Sequence, residues 1–291
     1  MASSAGDEKP EGGASVPARP LGWLVDTHSH LADPAFDADR VEVGERSRAA
    51  GVALVLVGYD LATSRLSVDL ADPAAGRFAA VGIHPNSWTT DSADELAEIR
   101  RLAVDPRVVA IGETGLDFYR AHVEADRQVE LLRAHLTLAD ELGKPVILHD
   151  REAHRALLDV LLPWAASRRA DWRTTRPPGV FHCFSGDAAL AVEAEQAGFL
   201  VSFAGNLTYS KSTLLAESAG RLRTDSLLVE TDCPYLAPEG RRGKRNEPVN
   251  VELVASRLAV IRGVSLDEVA ATTSANARRL FGVDFSGERP G

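Results

Sequence analysis

The feature that most limits the fold of this chain is a regular alternation between two kinds of segment. Beyond residue 20, short apolar runs rich in β-branched residues alternate with longer stretches in which apolar residues recur at helical spacing. Several of the runs are apolar on both faces, which is typical of a parallel sheet covered by helices. Eight strands are predicted, over residues 24–27, 52–57, 78–83, 108–112, 145–148, 180–184, 200–203 and 227–230.

Helices are predicted between and after these strands, over residues 37–50, 93–102, 123–142, 152–166, 188–197, 214–222, 249–262 and 266–281. The longest of them is followed by Gly143 and Pro145, which are typical helix-stop residues. Eight strands alternating with helices in a chain of 291 residues predict a single (β/α)₈ TIM barrel of the α/β class. A doubly wound open sheet is the alternative, but no glycine-rich dinucleotide-binding motif follows the first strand.

The two ends of the chain differ from the alternating region. Residues 1–20 are rich in Ala, Ser, Gly, Pro and Glu, and such a segment cannot bury enough apolar surface to offset the entropy lost on ordering. We therefore predict a disordered leader over residues 1–20, the barrel over residues 21–285 and a flexible tail over residues 286–291.

The overall charge and the cysteines exclude some classes of protein. A formal net charge of −10 argues against non-specific coating of DNA, which depends on many phosphate contacts. It allows an enzyme that binds phosphates locally, because carboxylates that hold cations count in that charge.

The chain shows no apolar run of membrane-spanning length and no signal peptide, so the sequence predicts a cytoplasmic protein. Cys183 and Cys233 suit a reducing compartment, and we expect both to be small buried residues that point towards the helices.

Titratable side chains stand at the ends of most predicted strands. His28 and His30 close the first strand, and the period of two along a strand places both side chains on one face. In a barrel the C-terminal ends of all strands converge on one mouth, where functional residues lie. The ends of the later strands carry His84, Glu113, His149, His182 and Asp232.

Six of these residues can surround one metal centre. Four imidazoles and two carboxylates exceed the ligands of one tetrahedral ion and suit two divalent ions with a bridging carboxylate. Because no thiolate is among them, they fit Mg²⁺, Mn²⁺ or Zn²⁺ and do not choose between these ions. The six predicted metal ligands are His28, His30, Glu113, His149, His182 and Asp232.

Five sequence blocks resemble the signature blocks of the TatD family of metal-dependent deoxyribonucleases, which are amidohydrolase-like TIM barrels. The resemblance extends from Asp26 through the segment 242–248, so it covers nearly all of the chain except its ends. The blocks are Asp26-Thr27-His28-Ser29-His30, Gly82-Ile83-His84-Pro85, Gly112-Glu113-Thr114-Gly115-Leu116-Asp117, Phe181-His182-Cys183-Phe184-Ser185-Gly186 and Glu230-Thr231-Asp232-Cys233-Pro234-Tyr235-Leu236.

The resemblance implies a role for each predicted ligand. His28, His30 and Asp232 would hold the first metal ion, and His149 and His182 the second. Glu113 would bridge the two ions, and Asp232 would be the general base, which makes Glu113 and Asp232 the predicted catalytic residues. The implied activity is that of a deoxyribonuclease of the 3′–5′ exonuclease type, which hydrolyses phosphodiesters with metal-activated water.

Cationic and aromatic residues near the predicted mouth are candidates for substrate binding. The loop 238–246 is the densest cationic stretch of the chain, and it emerges at the predicted active face. Phe118 and Tyr119 either stack on a base or pack under a loop. We interpret His122, His135 and His154 as structural or surface residues. Substrate contacts are predicted from His84, Arg151, Arg242, Lys244 and Arg245.

Other functions stay open at this point. The same metal site could hydrolyse an ester or an amide, for example in D-aminoacyl-tRNA deacylation. A non-catalytic scaffold built on the barrel is a third possibility, although the intact ligand set argues against it. The expected partner is nucleic acid as substrate, with DNA favoured, and neither a membrane nor an obligate protein partner is expected.

Overall fold

The computed structural model describes residues 19–88, 92–120, 122–167 and 176–287, without the side chains of residues 92 and 93. Each of its eight strands pairs in parallel with the next along the chain, so the predicted TIM barrel is confirmed. The strands are β1 (Leu24–Ser29), β2 (Val52–Val57), β3 (Arg77–Val81), β4 (Val108–Asp117), β5 (Val146–Arg151), β6 (Gly179–Phe181), β7 (Leu200–Phe203) and β8 (Leu227–Val229).

Helices cover the outside of this sheet. Within the described residues the α-helices are α1 (Arg40–Ala49), α2 (Leu61–Leu70), α3 (Ser92–Ala103), α4 (Ala125–Leu142), α5 (His154–Ser167), α6 (Ala188–Gln196), α7 (Thr213–Arg221), α8 (Val251–Arg262) and α9 (Leu266–Phe281). Short 3₁₀ helices lie at Pro34–Phe36, Pro73–Ala75, Pro85–Ser87, Gly205–Thr208, Thr224–Ser226 and Pro248–Asn250. Helix α4 ends at the predicted stop, because Gly143 takes the left-handed conformation with φ 62°.

The last strand returns to the first and nearly closes the barrel. Ser29 and Cys233 form an isolated parallel bridge. The His30 N–H donates to the Cys233 carbonyl at 2.9 Å, and the Asp232 N–H donates to the His28 carbonyl at 2.9 Å. Two histidines and a carboxylate that are about 200 residues apart in sequence are thereby fixed side by side.

Two apolar clusters hold the barrel together. One lies between the strands and the helices, and it buries residues such as Leu56 of β2 and Leu132 of α4 completely. The other includes Phe78, at the N-terminal end of β3, together with Phe281 and Phe285 from the end of the chain. The ring of Phe285 lies 5.2 Å from that of Phe78 and 6.2 Å from that of Phe281. These aromatic rings fill the bottom of the barrel, opposite the mouth.

Three strands run further than the sequence predicted, and the first of them, β1, ends at Ser29 rather than at residue 27. Strand β4 was predicted to end at Gly112, but it continues to Asp117 because residues 114–117 pair with residues 148–151 of β5. Strand β5 extends to Arg151 for the same reason. Gly115 permits this close pairing: it has φ +148°, and any Cβ there would collide with the backbone carbonyl of His149. In contrast, β6 and β8 are shorter than predicted.

Helix α2 is absent from the set predicted by helical periodicity. Its buried face consists of Thr63, Ser64, Ser67 and Val68, so it has little of the apolar stripe on which the prediction depends. The helix is instead stabilised at its N-terminus, where the Asp60 side chain accepts a hydrogen bond from the Thr63 N–H and completes a capping box.

The predicted leader and tail lie mostly outside the described residues, which omit residues 1–18 and 288–291. At the described edge of the leader, Arg19 pairs with Asp267 at 2.8 Å and stacks on the ring of Trp23. At the tail, the Ser286 N–H donates to Asp284 Oδ1 at 3.1 Å. Within the described part of the chain, no helix has the length and apolar character needed to cross a membrane.

Candidate metal centre

The mouth of the barrel brings the six predicted metal ligands together. Five of them are buried and His149 is partly buried. The strands that position them lie on different sides of the barrel, so the cluster exists only because the barrel closes. His28 lies on β1 and His30 directly after it, Glu113 and His149 lie on β4 and β5, and His182 and Asp232 follow β6 and β8.

Glu113 lies at the centre of the cluster, with its two carboxylate oxygens facing different histidines. Its Oε1 atom is 2.8 Å from His149 Nδ1 and 2.8 Å from His182 Nε2. Its Oε2 atom is 3.6 Å from His28 Nε2 and 3.5 Å from His30 Nε2. A carboxylate with one oxygen towards each histidine pair has the arrangement required of a bridging ligand.

The first pair, His28 and His30, has its Nε2 atoms 3.1 Å apart. Asp232 Oδ1 approaches them at 3.8 Å and 3.4 Å, respectively. The Nδ1 atom of His30 lies 2.8 Å from the Val57 carbonyl, an acceptor that requires the ring to donate from Nδ1. In the neutral ring the Nε2 atom of His30 therefore carries a lone pair directed into the cluster.

The second pair is supported by Glu230, which the sequence did not single out. His182 Nδ1 lies 3.3 Å from Glu230 Oε1, and the same oxygen accepts the Cys183 N–H at 2.6 Å. Donation from Nδ1 leaves the Nε2 atom of His182 free to bind a metal ion. A signal for Glu230 was present, because Glu230 precedes Asp232 by two residues at the end of β8.

A third group, next to the second pair, contains His84, Asp117 and His149. Asp117 Oδ2 lies 3.4 Å from His149 Nε2 and accepts from the side-chain amide of Asn86 at 2.8 Å. Sequence reasoning missed Asp117 because the strand was predicted to stop at Gly112. Continued to its observed end, β4 has Glu113, Gly115 and Asp117 at alternate positions on one face.

His84 is oriented as a hydrogen-bond donor. Its Nδ1 atom accepts the Asn86 N–H at 3.1 Å, so the neutral ring carries its proton on Nε2. That Nε2 atom lies 3.7 Å from Glu113 Oε1. Burial lowers the pKa of His84 to about 3, which keeps the ring neutral. A ring that already accepts at Nδ1 suits donation to a substrate oxygen better than metal ligation.

Burial and mutual charge shift the pKa values of the whole cluster. Burial alone would raise the pKa of Glu113, but the charge of His182 and the hydrogen bonds with His149 and His182 hold it well below its usual value. Burial alone would lower the pKa of His30, but the hydrogen bond with Asp232 and the charge of Glu113 raise it to about 8. The pKa of His182 is raised in the same way by Glu113 and Glu230. The cluster thus carries ionised carboxylates that attract positive charge.

These residues fit a resident divalent metal. Two imidazole nitrogens 3.1 Å apart meet between two buried carboxylates, an arrangement that a cation stabilises. Among the described residues, none completes a hydrogen bond with the buried His149 Nε2 atom, which Asp117 Oδ2 approaches at 3.4 Å. The donor atoms are imidazole nitrogens and carboxylate oxygens, which suit Zn²⁺, Mn²⁺ and Mg²⁺ in that order of increasing hardness.

A cavity of about 460 Å³ opens above the cluster. Three tyrosines, Tyr59, Tyr119 and Tyr235, contribute to its wall. Cys183 also lines it, which corrects the prediction that this thiol points towards the helices. The reason is local: β6 ends at Phe181, and Cys183 takes a left-handed conformation with φ 43°, so strand alternation no longer applies. Cys233, in contrast, is fully buried in the core.

The predicted substrate contacts fall into two groups. His84 and Arg151 line the cavity, together with Arg120, which the sequence did not single out. The three predicted substrate contacts on the loop 238–246 do not line the cavity. Arg242 stacks on Tyr209, Lys244 is exposed, and Arg245 pairs with Asp39 and Glu247. Arg245 is thereby occupied in holding the loop against the start of α1, which is why it does not reach the cavity.

The two aromatic residues after Glu113 and the three histidines interpreted as structural or surface residues lie in different environments. Phe118 packs against the core, whereas Tyr119 lines the cavity and is 60% exposed. His135 is fully buried on α4, where its Nε2 accepts the Ile83 N–H at 3.1 Å. His154 lies 2.8 Å from Asp150 Oδ2, and His122 is exposed.

A parallel barrel whose strand ends converge on buried imidazoles and carboxylates is the framework of a metal-dependent hydrolase. Comparisons with known proteins also indicate a metal-dependent hydrolase. A family model described as TatD related DNase matches residues 25–282. YabD of Bacillus subtilis strain 168, an uncharacterised metal-dependent hydrolase, is 36% identical over 262 residues, which cover 90% of this chain and 100% of YabD. The chain belongs to the TatD family.

Two further relatives show what the family contains. TatD of Erwinia amylovora, named a 3′–5′ ssDNA/RNA exonuclease, is 36% identical over 267 residues, covering 89% of this chain and 100% of that protein. The crystal structure of YjjV, a TatD homologue of Escherichia coli K12, has a TM-score of 0.81 at 29% identity and covers 90% of this chain and 99% of its own. The resemblance read from the sequence blocks is therefore confirmed.

Proposed function

We propose that this protein is a two-metal phosphodiesterase that removes nucleotides from the 3′ end of single-stranded nucleic acid, with DNA as the favoured substrate. The observation that carries the proposal is the position of Glu113. One of its oxygens faces His149 and His182, and the other faces His28 and His30. Such a carboxylate joins two cation positions, and paired cations are typical of enzymes that displace an alkoxide from a phosphodiester.

The division of ligands that we propose is the one that the family resemblance implies. His28, His30 and Asp232 would hold one ion, His149 and His182 the other, with Glu113 shared, and the ions would be Mg²⁺, Mn²⁺ or Zn²⁺. When bound, they would acidify a water molecule and neutralise the charge that develops on the attacking and leaving oxygens. The second ligand pair has further support from Asp117, which faces His149 Nε2 at 3.4 Å.

Asp232 is the proposed proton acceptor. It is buried, and although burial alone would raise its pKa, the hydrogen bond with His30 and the nearby imidazoles lower it, so the group is ionised at neutral pH. An ionised carboxylate at the cluster orients the attacking water and takes up its proton. His84 contributes on the other side, where its Nε2–H is directed to donate to a phosphate oxygen.

The charge of the cavity supports a phosphodiester over an ester or amide. Among the described residues, the Arg120 and Arg151 guanidinium groups have no carboxylate within ion-pair distance, yet both line the cavity. Two uncompensated cations above a metal centre suit a polyanion. Arg242 and Lys244 are placed on the loop after β8, where they would contact parts of the strand beyond the cavity.

The size of the cavity supports attack at the end of a single strand. About 460 Å³ is within the range of pockets that hold a small ligand, so it suits a terminal nucleotide rather than a double helix. The catalytic groups are buried at its floor, which means that the scissile phosphate must enter the cavity. Both cysteines are free, which suits a reducing compartment such as the cytoplasm.

The test is a nuclease assay on the purified protein, stripped of metal and then supplied separately with Mg²⁺, Mn²⁺ or Zn²⁺. Single-stranded DNA labelled at the 3′ end should lose its label at once, whereas the same strand labelled at the 5′ end should shorten stepwise. Blunt duplex DNA should be cut much more slowly. No nucleotide release with any of the three ions would contradict the proposal. Hydrolysis of an aminoacyl ester without any phosphodiester cleavage would favour a deacylase instead.

A further inference from the structure

The turn after β4 and the end of β5 together project three side chains over one side of the cavity. Tyr119 and Arg120 belong to this turn, and Arg151 ends the neighbouring strand β5. All three line the cavity. None of them belongs to the ligand cluster, and the metal chemistry needs none of them. Their role therefore concerns the part of the substrate that lies beyond the reacting phosphate.

The backbone of this turn is held firmly. Asp117 Oδ1 accepts the Tyr119 N–H at 3.0 Å and the Arg120 N–H at 2.8 Å. Its other oxygen accepts from the Asn86 amide at 2.8 Å. The Phe118 N–H donates to the Arg151 carbonyl at 2.9 Å, which joins the turn to β5. The three side chains thus start from a fixed base next to the metal centre, as a binding site requires.

Arg120 and Arg151 bring positive charge to the cavity wall of an acidic chain. Arginines remote from the mouth typically have a carboxylate partner, as Arg107 has in Asp105 and Arg223 has in Asp225. In the part of the chain that the structure describes, Arg120 and Arg151 have none. Arg151 instead places its guanidinium 4.9 Å from the centre of the Tyr119 ring. The ring remains 60% exposed, so it can still accept a second stacking partner.

We propose that Tyr119, Arg120 and Arg151 form a subsite for the nucleotide next to the one being removed. The base of that penultimate nucleotide stacks on Tyr119, and its phosphate binds to Arg120, while Arg151 supports the ring and adds positive charge. The inference rests on the proposed exonuclease function, and it names the part of the substrate that the cavity rim recognises. Stacking on an aromatic ring combined with phosphate binding is the common mode of single-strand recognition without sequence preference.

Two substrates separate this subsite from the metal centre. The p-nitrophenyl ester of thymidine 5′-monophosphate has a terminal nucleotide but no penultimate one, whereas a single-stranded DNA decamer has both. The variants are Tyr119→Ala, Tyr119→Phe and Arg120→Gln. Arg223→Gln is the matched control, because it removes the same charge at the opposite end of the barrel, before β8. The measurement is kcat/KM for each protein on each substrate.

We expect Tyr119→Ala and Arg120→Gln to lose about tenfold more kcat/KM on the decamer than on the ester. Tyr119→Phe should stay near wild type, because it keeps the ring. Arg120→Gln should also reduce the slope of log kcat/KM against log salt by about 0.7, the value for one phosphate contact on a single strand. An abasic penultimate position should slow the wild type about tenfold and Tyr119→Ala hardly further.

Failure of the subsite and failure of the proposed function give different results. If wild-type protein cleaves both substrates but the variants lose equally on both, or lose nothing on the decamer, the subsite is wrong and the exonuclease function stands. If Arg223→Gln loses as much on the decamer as Arg120→Gln does, the effect is one of overall charge and the subsite is again wrong. If wild-type protein cleaves neither substrate with any of the three ions, the proposed function fails and the subsite with it.

Discussion

The two ends of the barrel are made from the same eight strands but serve opposite physical purposes. At the bottom, Phe78, Phe281 and Phe285 are buried against one another and fill the space with apolar surface. At the mouth, buried positions hold imidazoles and carboxylates. Burial of the aromatic rings stabilises the fold. Burial of ionised groups costs free energy unless opposite charges compensate them.

The difference shows why the mouth is assembled as it is. The buried residues there cost stability, and two of the histidines are held in place by a neighbour outside the cluster, His30 by the Val57 carbonyl and His182 by Glu230. The bottom needs no such orientation, because apolar packing has no direction. We therefore expect substitutions at the mouth to change activity and metal binding, and substitutions at the bottom to change stability.

The largest effect is expected from Glu113→Gln. The amide keeps the size of the side chain but cannot supply a negative charge to both histidine pairs. We expect a loss of at least about 10³-fold in kcat on single-stranded DNA, which corresponds to about 4 kcal/mol. Metal content should fall as well, whereas thermal unfolding should remain cooperative. Glu45→Gln, the same change on an exposed carboxylate paired with Arg48, is the control and should be unaffected.

The opposite outcome is expected from Phe285→Ala at the bottom. This ring is fully buried, so its removal should destabilise the protein by about 3–5 kcal/mol. Activity per folded molecule should stay near wild type below the melting temperature. Val260→Ala, which truncates a residue that is 71% exposed, serves as the control. A drop in specific activity of folded Phe285→Ala, with its stability unchanged, would remove the distinction between the two ends.

The same contrast explains what could be predicted from the sequence. The barrel and its ligand cluster follow from local patterns, because strand periodicity and residues at strand ends need no knowledge of packing. Asp117 was missed because the strand was predicted to stop at Gly112, whereas Gly115 lets β4 continue close to the backbone of His149 on β5. Arg245 was assigned to the substrate because its pairing with Asp39 depends on which loops meet, which the sequence does not reveal.

Cys183 and Arg120, which both line the cavity, show the same limit of prediction from the sequence. The alternation rule placed the Cys183 thiol on the wrong side, because it holds only while the backbone remains extended, and β6 ends before this residue. Arg120 is one of many arginines in the sequence. What distinguishes it is that it lines the cavity and, within the described residues, has no carboxylate partner, and this combination is a property of the folded surface alone.

Removal of the metal tests whether the mouth depends on positive charge. A ligand at 100 times its dissociation constant stabilises the folded state by about 2.7 kcal/mol. Adding Mn²⁺ to metal-free wild-type protein should therefore raise the melting temperature by several degrees, and Glu113→Gln should show a much smaller rise. Phe285→Ala should keep the full rise from its lower starting point. An equal rise in Glu113→Gln would show that the ion binds elsewhere.

His135 lies behind the mouth, where α4 meets the end of β3, and its effect on stability should be confined to acid pH. Burial lowers the pKa of His135 to about 4 from its ordinary value of 6.5, so the fold favours the neutral ring. Its stabilising contribution is complete above pH 6.5 and is lost as the pH falls towards 4, by at most about 3 kcal/mol. In His135→Gln the amide oxygen can still accept the Ile83 N–H but does not titrate. The melting temperature of wild type minus that of the variant should therefore be largest at pH 8 and should shrink by pH 4.5, because titrations common to both proteins cancel in the difference. A difference that stays constant across this range would show that the core does not shift the pKa of His135.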